Sequence, residues 1–302
     1  MPVRSVVTVS LRGWTLFAAM SVIWGIPYLM IKVAVDEVSV PVLVFARSAI
    51  GAVLLLPLAV SRDARALIRR RWKPVAAFAF FEIIAAWLLL SDAERHLTSS
   101  LTGLLIAAAP IVAAVLERLA GGERLGPVRV TGLGVGVVGV AVLAGPGLRG
   151  GGGAWPVIAV LLVAVCYAIA PQIAARHLAD VPGPALTAAC LGLSAIVYLV
   201  PAALTWPTHA LSTKTYSAIA GLAIICTALA FVVFFALIRE VGPARAVIFT
   251  YINPAVALAA GVIFLHEPLT WWNVAGPALI LAGSVLATRT VAAVTSERAG
   301  DQ

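Results

Sequence analysis

Long apolar runs alternate with short polar gaps along the chain, and the runs set its architecture. Ten can be read, over 14–33, 40–60, 74–92, 98–118, 127–145, 155–175, 184–205, 216–237, 244–265 and 271–290. Each approaches the roughly 20 residues that a helix needs to cross ~30 Å of hydrocarbon. They are too long for barrel strands, and a helix satisfies its own backbone hydrogen bonds in lipid. The pattern predicts an all-α integral membrane protein of ten transmembrane helices with short connections. Only Arg149–Gly153, between the fifth and sixth runs, reads as a flexible linker.

A shift of 144 positions places the chain on its own landmarks. Pro27, Pro57 and Pro110 fall on Pro171, Pro201 and Pro254, and Arg95 falls on Arg239. Glu123-Arg124-Leu125 falls on Glu267-Pro268-Leu269, Gly132 on Gly276 and Gly139 on Gly283. With 18 prolines in 302 residues, three in-register matches inside apolar runs point to a duplication. The halves are 1–148 and 149–302, five spans each. An odd number of crossings makes the copies point in opposite directions, the inverted-repeat plan of carriers that open alternately to two sides.

Composition agrees with the membrane reading. Hydrophobic residues make up 62% and charged residues 11%, where a soluble domain carries about 25% charged residues; the mean hydropathy is +1.05. The net charge of +8 suggests a nucleic-acid partner only until its distribution is examined. One side of the predicted membrane collects 16 of the 21 basic residues, the other Lys32, Arg95, Arg149 and Lys214, while Arg47 lies inside a span. That asymmetry puts both termini in the cytoplasm, Glu123 on the cytoplasmic side and Glu267 on the outer side. No nucleic-acid partner is expected. Arg4 and Arg12 precede the first run as in a signal peptide, but no cleavage site follows, so the run is read as a retained span. Cys166, Cys190 and Cys226 lie in apolar runs without metal-ligand spacing, so no metal or disulfide is expected.

Within the spans a few residues stand out. Pro27 and Pro171 are expected to interrupt their helices at equivalent depth, exposing carbonyls as helix breaks do at carrier sites. Pro110 and Pro254 are further candidate breaks, while Pro57 and Pro201 read as kinks near span ends. Glu82 lies near the middle of the third span, where a charge costs roughly 2.5–3.5 kcal/mol and usually faces a cavity. A proton-coupling carboxylate, a counter-charge for a substrate ammonium and a structural partner for Arg47 are the three roles open to it. Arg47 could itself clamp a substrate carboxylate with its guanidinium fork. Trp24, Tyr28, Trp87, Tyr251 and Asn253 are candidate cavity lining, each also readable as helix packing. Glu123 and Glu267 are expected to cap the helices that follow them. The GxGxxG of residues 134–139 follows no strand, and Gly132 with Gly136 forms a GxxxG, so helix packing is expected there rather than a dinucleotide. No cofactor motif is present.

These residues resemble the drug/metabolite transporter superfamily, in particular its ten-span EamA-type members. The resemblance rests on Trp24-Gly25, on Arg47 in Phe45-Ala46-Arg47-Ser48-Ala49, and on a twice-occurring pattern. Pro110 leads through Glu123-Arg124-Leu125 to Gly132, and Pro254 through Glu267-Pro268-Leu269-Thr270 to Gly276. Gly121-Gly122 before Glu123, and Glu82 itself, depart from the family pattern. The resemblance implies a basket of helices in which spans one to four and six to nine line a cavity, with five and ten behind. It gives Arg47 a fixed structural role as an alternative to substrate binding. It also implies a secondary transporter of small metabolites such as amino acids, with export the favoured direction, in the cytoplasmic membrane. A small-molecule substrate and membrane lipid are the expected partners; proton coupling and a homodimer stay open. A polytopic enzyme acting on a lipid-linked substrate and a passive channel are the alternatives; the short, sparse loops and the inverted repeat count against them.

Overall fold

A computed structural model of the chain describes residues 10–59, 61–119, 126–148 and 153–288. Glu123, the linker residues 149–152, and Arg4, Arg124, Arg289 and Arg298 of the basic-residue pattern lie outside the described residues. The regular elements among those described are helical. Ten apolar segments follow one another. They are α1 (Leu11–Ile23, resuming as Pro27–Val35), α2 (Val40–Ala59), α3 (Trp72–Glu94), α4 (Ser99–Ile106, resuming as Ala109–Leu119) and α5 (Pro127–Leu148). Then come α6 (Trp155–His177), α7 (Gly183–Leu204), α8 (Thr213–Val241), α9 (Asn253–Leu265) and α10 (Trp272–Thr288). Eight are long and apolar enough to cross a bilayer, which makes this a multi-pass membrane protein. The α9 and α10 helices are shorter, at 13 and 17 residues. The run expected over 244–265 opens as a single helical turn, Pro243–Ala246, and a 3-10 turn, Val247–Tyr251, before α9 begins.

Side-chain caps start several helices. Ser10 Oγ, Thr98 Oγ1 and Ser212 Oγ accept from Gly13, Leu101 and Thr215 N–H respectively, satisfying donors that a helix start leaves open. Outward faces stay apolar: Val53, Leu56 and Leu58 of α2 and Ile196, Leu199 and Val200 of α7 are exposed, as lipid-facing side chains should be. The largest buried cluster joins α1, α2, α3, α6, α7 and α8 through Ile31, Leu43, Ile83, Val163, Leu191 and Leu222.

Proline accounts for the breaks. It has no N–H to donate and clashes with the preceding turn, so it fits the first turn of a helix. Pro27 restarts α1 after Trp24–Ile26, Pro110 lies in the first turn after the break in α4, and Pro254 in the first turn of α9. Pro171 differs from expectation, because it sits inside an unbroken α6. One missing donor leaves the remaining ladder of a 23-residue helix intact, and Gln172 Nε2 donates to the Ala168 carbonyl at 3.1 Å beside it.

Two π-helical stretches occur at equivalent places in the two halves, Phe80–Ile84 within α3 and Gly221–Leu229 within α8. Glu82 lies in the first, and its counterpart Cys226 in the second.

Equivalent helices pack on one another antiparallel. Along α2 and α7, Ser39 meets Thr205, Ser48 Oγ lies 2.9 Å from Ser194 Oγ, and Gly51 faces Leu191. Along α5 and α10, Gly132 meets Gly283 and Gly139 meets Gly276 so closely that a Cβ at either α5 glycine would strike backbone of α10. The GxGxxG segment is therefore helical, and its glycines serve close helix contact.

Candidate functional site

Arg47, from the middle of α2, is buried. Its Nε donates to Thr227 Oγ1 at 2.9 Å, and its guanidinium lies 3.6 Å from the centroid of the Trp87 ring of α3. Thr227 can accept because its own hydroxyl donates to the Leu222 carbonyl at 2.8 Å, five residues back along the π stretch. The widened helix thus presents a hydroxyl lone pair to a cation from the other half of the chain. Tyr28 of α1 and Tyr167 of α6 are within electrostatic reach of the same guanidinium. The buried guanidinium is thus held by a hydroxyl and by an aromatic face.

Glu82 stands apart from this cluster. Among the described residues it forms no ion pair, with Arg47 or any other group. It is partly accessible, and its carboxyl lies within electrostatic reach of Cys166 and Tyr167 of α6 and Cys190 of α7. Tyr167 is within electrostatic reach of both charges.

The other expected lining residues divide between packing and hinge. Trp24 packs among Phe231, Phe234 and Phe249, with ring centroids 5.2–5.7 Å away, and closes an aromatic cluster between α1, α8 and the turn before α9. Tyr251 is half-buried in that 3-10 turn. With its amide oriented to satisfy its neighbours, Asn253 Nδ2 donates to the carbonyls of Ser21 at 3.1 Å and Phe249 at 3.2 Å. The bond to Ser21 ties the start of α9 to α1 just ahead of its break. Close contacts confirm the convergence: Gly25 abuts Val256, and Gly103 abuts both Ala257 and Tyr28. The broken parts of α1, α4 and α9 therefore meet at one level of the molecule.

Contacts between the two halves close both ends. At the end that carries the loop after α1, Glu37 Oε2 accepts from Ser212 N–H at 2.7 Å. Hydrogen bonding from the Ser212 side chain, then from its main-chain N–H, holds the Glu37 carboxyl below the usual carboxylate range. At the opposite end Arg71 Nη2 lies 2.9 Å from Asp180 Oδ2, and Ser10 Oγ donates to Glu240 at 2.6 Å.

Glu267 corrects an expectation. It caps not the following α10 but α4: its Oε1 accepts from Ser99 N–H at 2.7 Å and Ser99 Oγ at 3.0 Å, and its Oε2 from Ser100 N–H at 2.9 Å. The reason is the turn at His266, which adopts a left-handed φ of 54°, so that the Glu267 N–H folds back onto the Gly261 carbonyl at 3.2 Å. The side chain is thereby aimed across to the other half.

Two stretches of the chain, residues 11–145 and 154–289, each match the EamA-like transporter family. The chain belongs to that family. Membership in EamA also places it in the drug/metabolite transporter superfamily. This EamA protein is 27% identical to the uncharacterized transporter YvbV of Bacillus subtilis, over 91% of each chain. It is 29% identical to a probable terminal-alkyne amino-acid exporter of Streptantibioticus cattleyicolor, over 89% of this chain and 90% of that one. A solved crystal structure 19% identical to it superposes with a TM-score of 0.62, covering 96% of this chain and 99% of the other, which supports the fold alone.

Several residues of the EamA protein's centre were not visible in the pattern. Thr227 and Tyr167 look like ordinary residues of apolar spans until the helices cross. Glu94 escapes for a different reason: the apolar run ends at residue 92, whereas α3 continues to Glu94 and buries it completely.

Proposed function

We propose that this protein is a secondary transporter that exports a small amine-bearing metabolite, an amino acid or related compound, by alternating access. Two five-helix repeats, 1–148 and 149–302, lie inverted in the cytoplasmic membrane with both termini inside. The antiparallel packing of α2 on α7 and of α5 on α10 supports the inversion. The meeting of broken α1, α4 and α9 supports a midplane site.

One observation carries the substrate class. Glu82 presents a partly accessible carboxyl without an ion-pair partner, from a π stretch within an apolar helix and within electrostatic reach of Tyr167. An ammonium is the ligand that such a group lacks. The amino-acid exporter among the relatives supports the same class and direction.

The test is counterflow in proteoliposomes over a panel of amino acids and amines. Saturable exchange is expected, and Glu82→Gln should weaken apparent affinity about tenfold or more. Amine exchange that is unchanged in Glu82→Gln would remove the substrate assignment. Non-saturable leak would indicate a channel, and turnover of a lipid an enzyme.

A further inference from the structure

A buried carboxyl outside the Glu82 site has no assigned task. Glu94 ends α3, is 0% exposed, and neither carboxyl oxygen has a hydrogen-bond partner. The charged and titratable groups around it are few. From α1 come Lys32 and Tyr28, from α2 Arg47, and from the turn after α9 Glu267. The first turn of α4 brings the hydroxyls of Ser99 and Ser100, and α6 brings Trp155, whose Nε1 donates to Asp92 at 3.0 Å instead. Arg47 is engaged by Thr227 and Trp87. Lys32 Nζ donates to the main-chain carbonyl of Glu94 at 2.7 Å rather than to its carboxylate. Glu267 spends both its carboxyl oxygens on three donors at the N-terminus of α4 and turns no donor toward Glu94. An enclosed carboxylate with no hydrogen bond to either oxygen is the costly arrangement. Ser100 Oγ, also buried, is likewise without a partner although its own N–H serves Glu267. Both cations of the cluster donate elsewhere, and the unmet group is the Glu94 carboxyl.

We propose that Glu94 is a proton-binding site, protonated while Glu267 caps α4 and deprotonated when the two separate. The role in gating rests on the transport reading above. On separation, water enters; Glu94 transfers its proton to that water, forming hydronium, and its carboxylate takes the Nζ of Lys32, which leaves the carbonyl. Acid on the α4 N-terminal side therefore holds that side closed.

Infrared titration of the full-length reconstituted protein tests this without any substrate. A titrating carbonyl band of a protonated carboxyl is expected in the wild type, absent in Glu94→Gln and retained in Glu82→Gln. In Lys32→Met the midpoint should rise by about one pH unit or more, since the cation that stabilises the carboxylate is gone. A band that survives Glu94→Gln, or that is lost only in Glu82→Gln, overturns the assignment. Should Glu94→Gln fail to fold, an unmoved midpoint in Lys32→Met overturns it equally. Absence of wild-type counterflow would instead defeat the transport reading and leave the proton band in place.

Discussion

Arg47 places a guanidinium in the middle of an apolar core, and its partners explain how that is tolerated. A desolvated cation over an aromatic face gains about 2 kcal/mol, and the Thr227 hydroxyl supplies a directed acceptor. Lysine cannot reproduce a planar fork that stacks and donates at once. Arg47→Lys should therefore lower unfolding free energy in detergent by about 2 kcal/mol, and a double-mutant cycle with Trp87→Leu should reveal coupling between the two. Glu267→Ala removes three hydrogen bonds from the start of α4 and should cost about 2 kcal/mol, read as a lower thermal midpoint. Single residues were legible where their chemistry clashed with their surroundings, as Arg47 and Glu82 do within apolar runs. Glu94 was hidden because charge marks the end of a run, and a helix that buries its last charge looks identical in one dimension to one that exposes it.

The helices differ in how far their shape follows from sequence. Length and continuity were readable, but whether a proline breaks a helix was not: Pro27 opens a break in α1, while Pro171 rides within α6. Neither π stretch was foreseen, because the extra residue per turn is stabilised by partners such as Leu222 and Thr227 rather than by propensity. The α5–α10 contact was readable as GxxxG, and it makes a contrast that can be measured. A Cβ at Gly283 would collide with the Gly132 carbonyl and Gly136 backbone, whereas one at Gly134 meets nothing within 4 Å. Gly283→Leu should destabilise the protein by about 1–3 kcal/mol and reduce the folded yield; Gly134→Leu, on the open face of the same contact, should be silent in the same assay.

At the scale of the whole molecule, helix packing of α2 on α7 and α5 on α10 joins the two halves along their length, and a few polar contacts fasten each end. The Glu37–Ser212 bond depends on an ionised carboxylate. Because the folded state lowers the proton affinity of Glu37, this contact contributes fully above the ordinary carboxylate range and is lost as pH falls through the lowered folded value. Limited proteolysis near Ser212 should accelerate at acid pH in the wild type, and Glu37→Gln should show the fast rate throughout. Duplication was legible from sequence, since prolines and glycines repeat at a fixed interval. The pairing across halves was not, because Glu267 seeks Ser99 and Glu37 seeks Ser212 only once both copies are folded together. One difference between the copies reaches furthest. The first helix of one half is jointed at Trp24–Ile26, and its twin is a rigid rod through Pro171. Under the proposed alternating access, identical halves trading places would give two postures of equal energy, and a joint in one half alone makes the two postures, and the climbs between them, unequal.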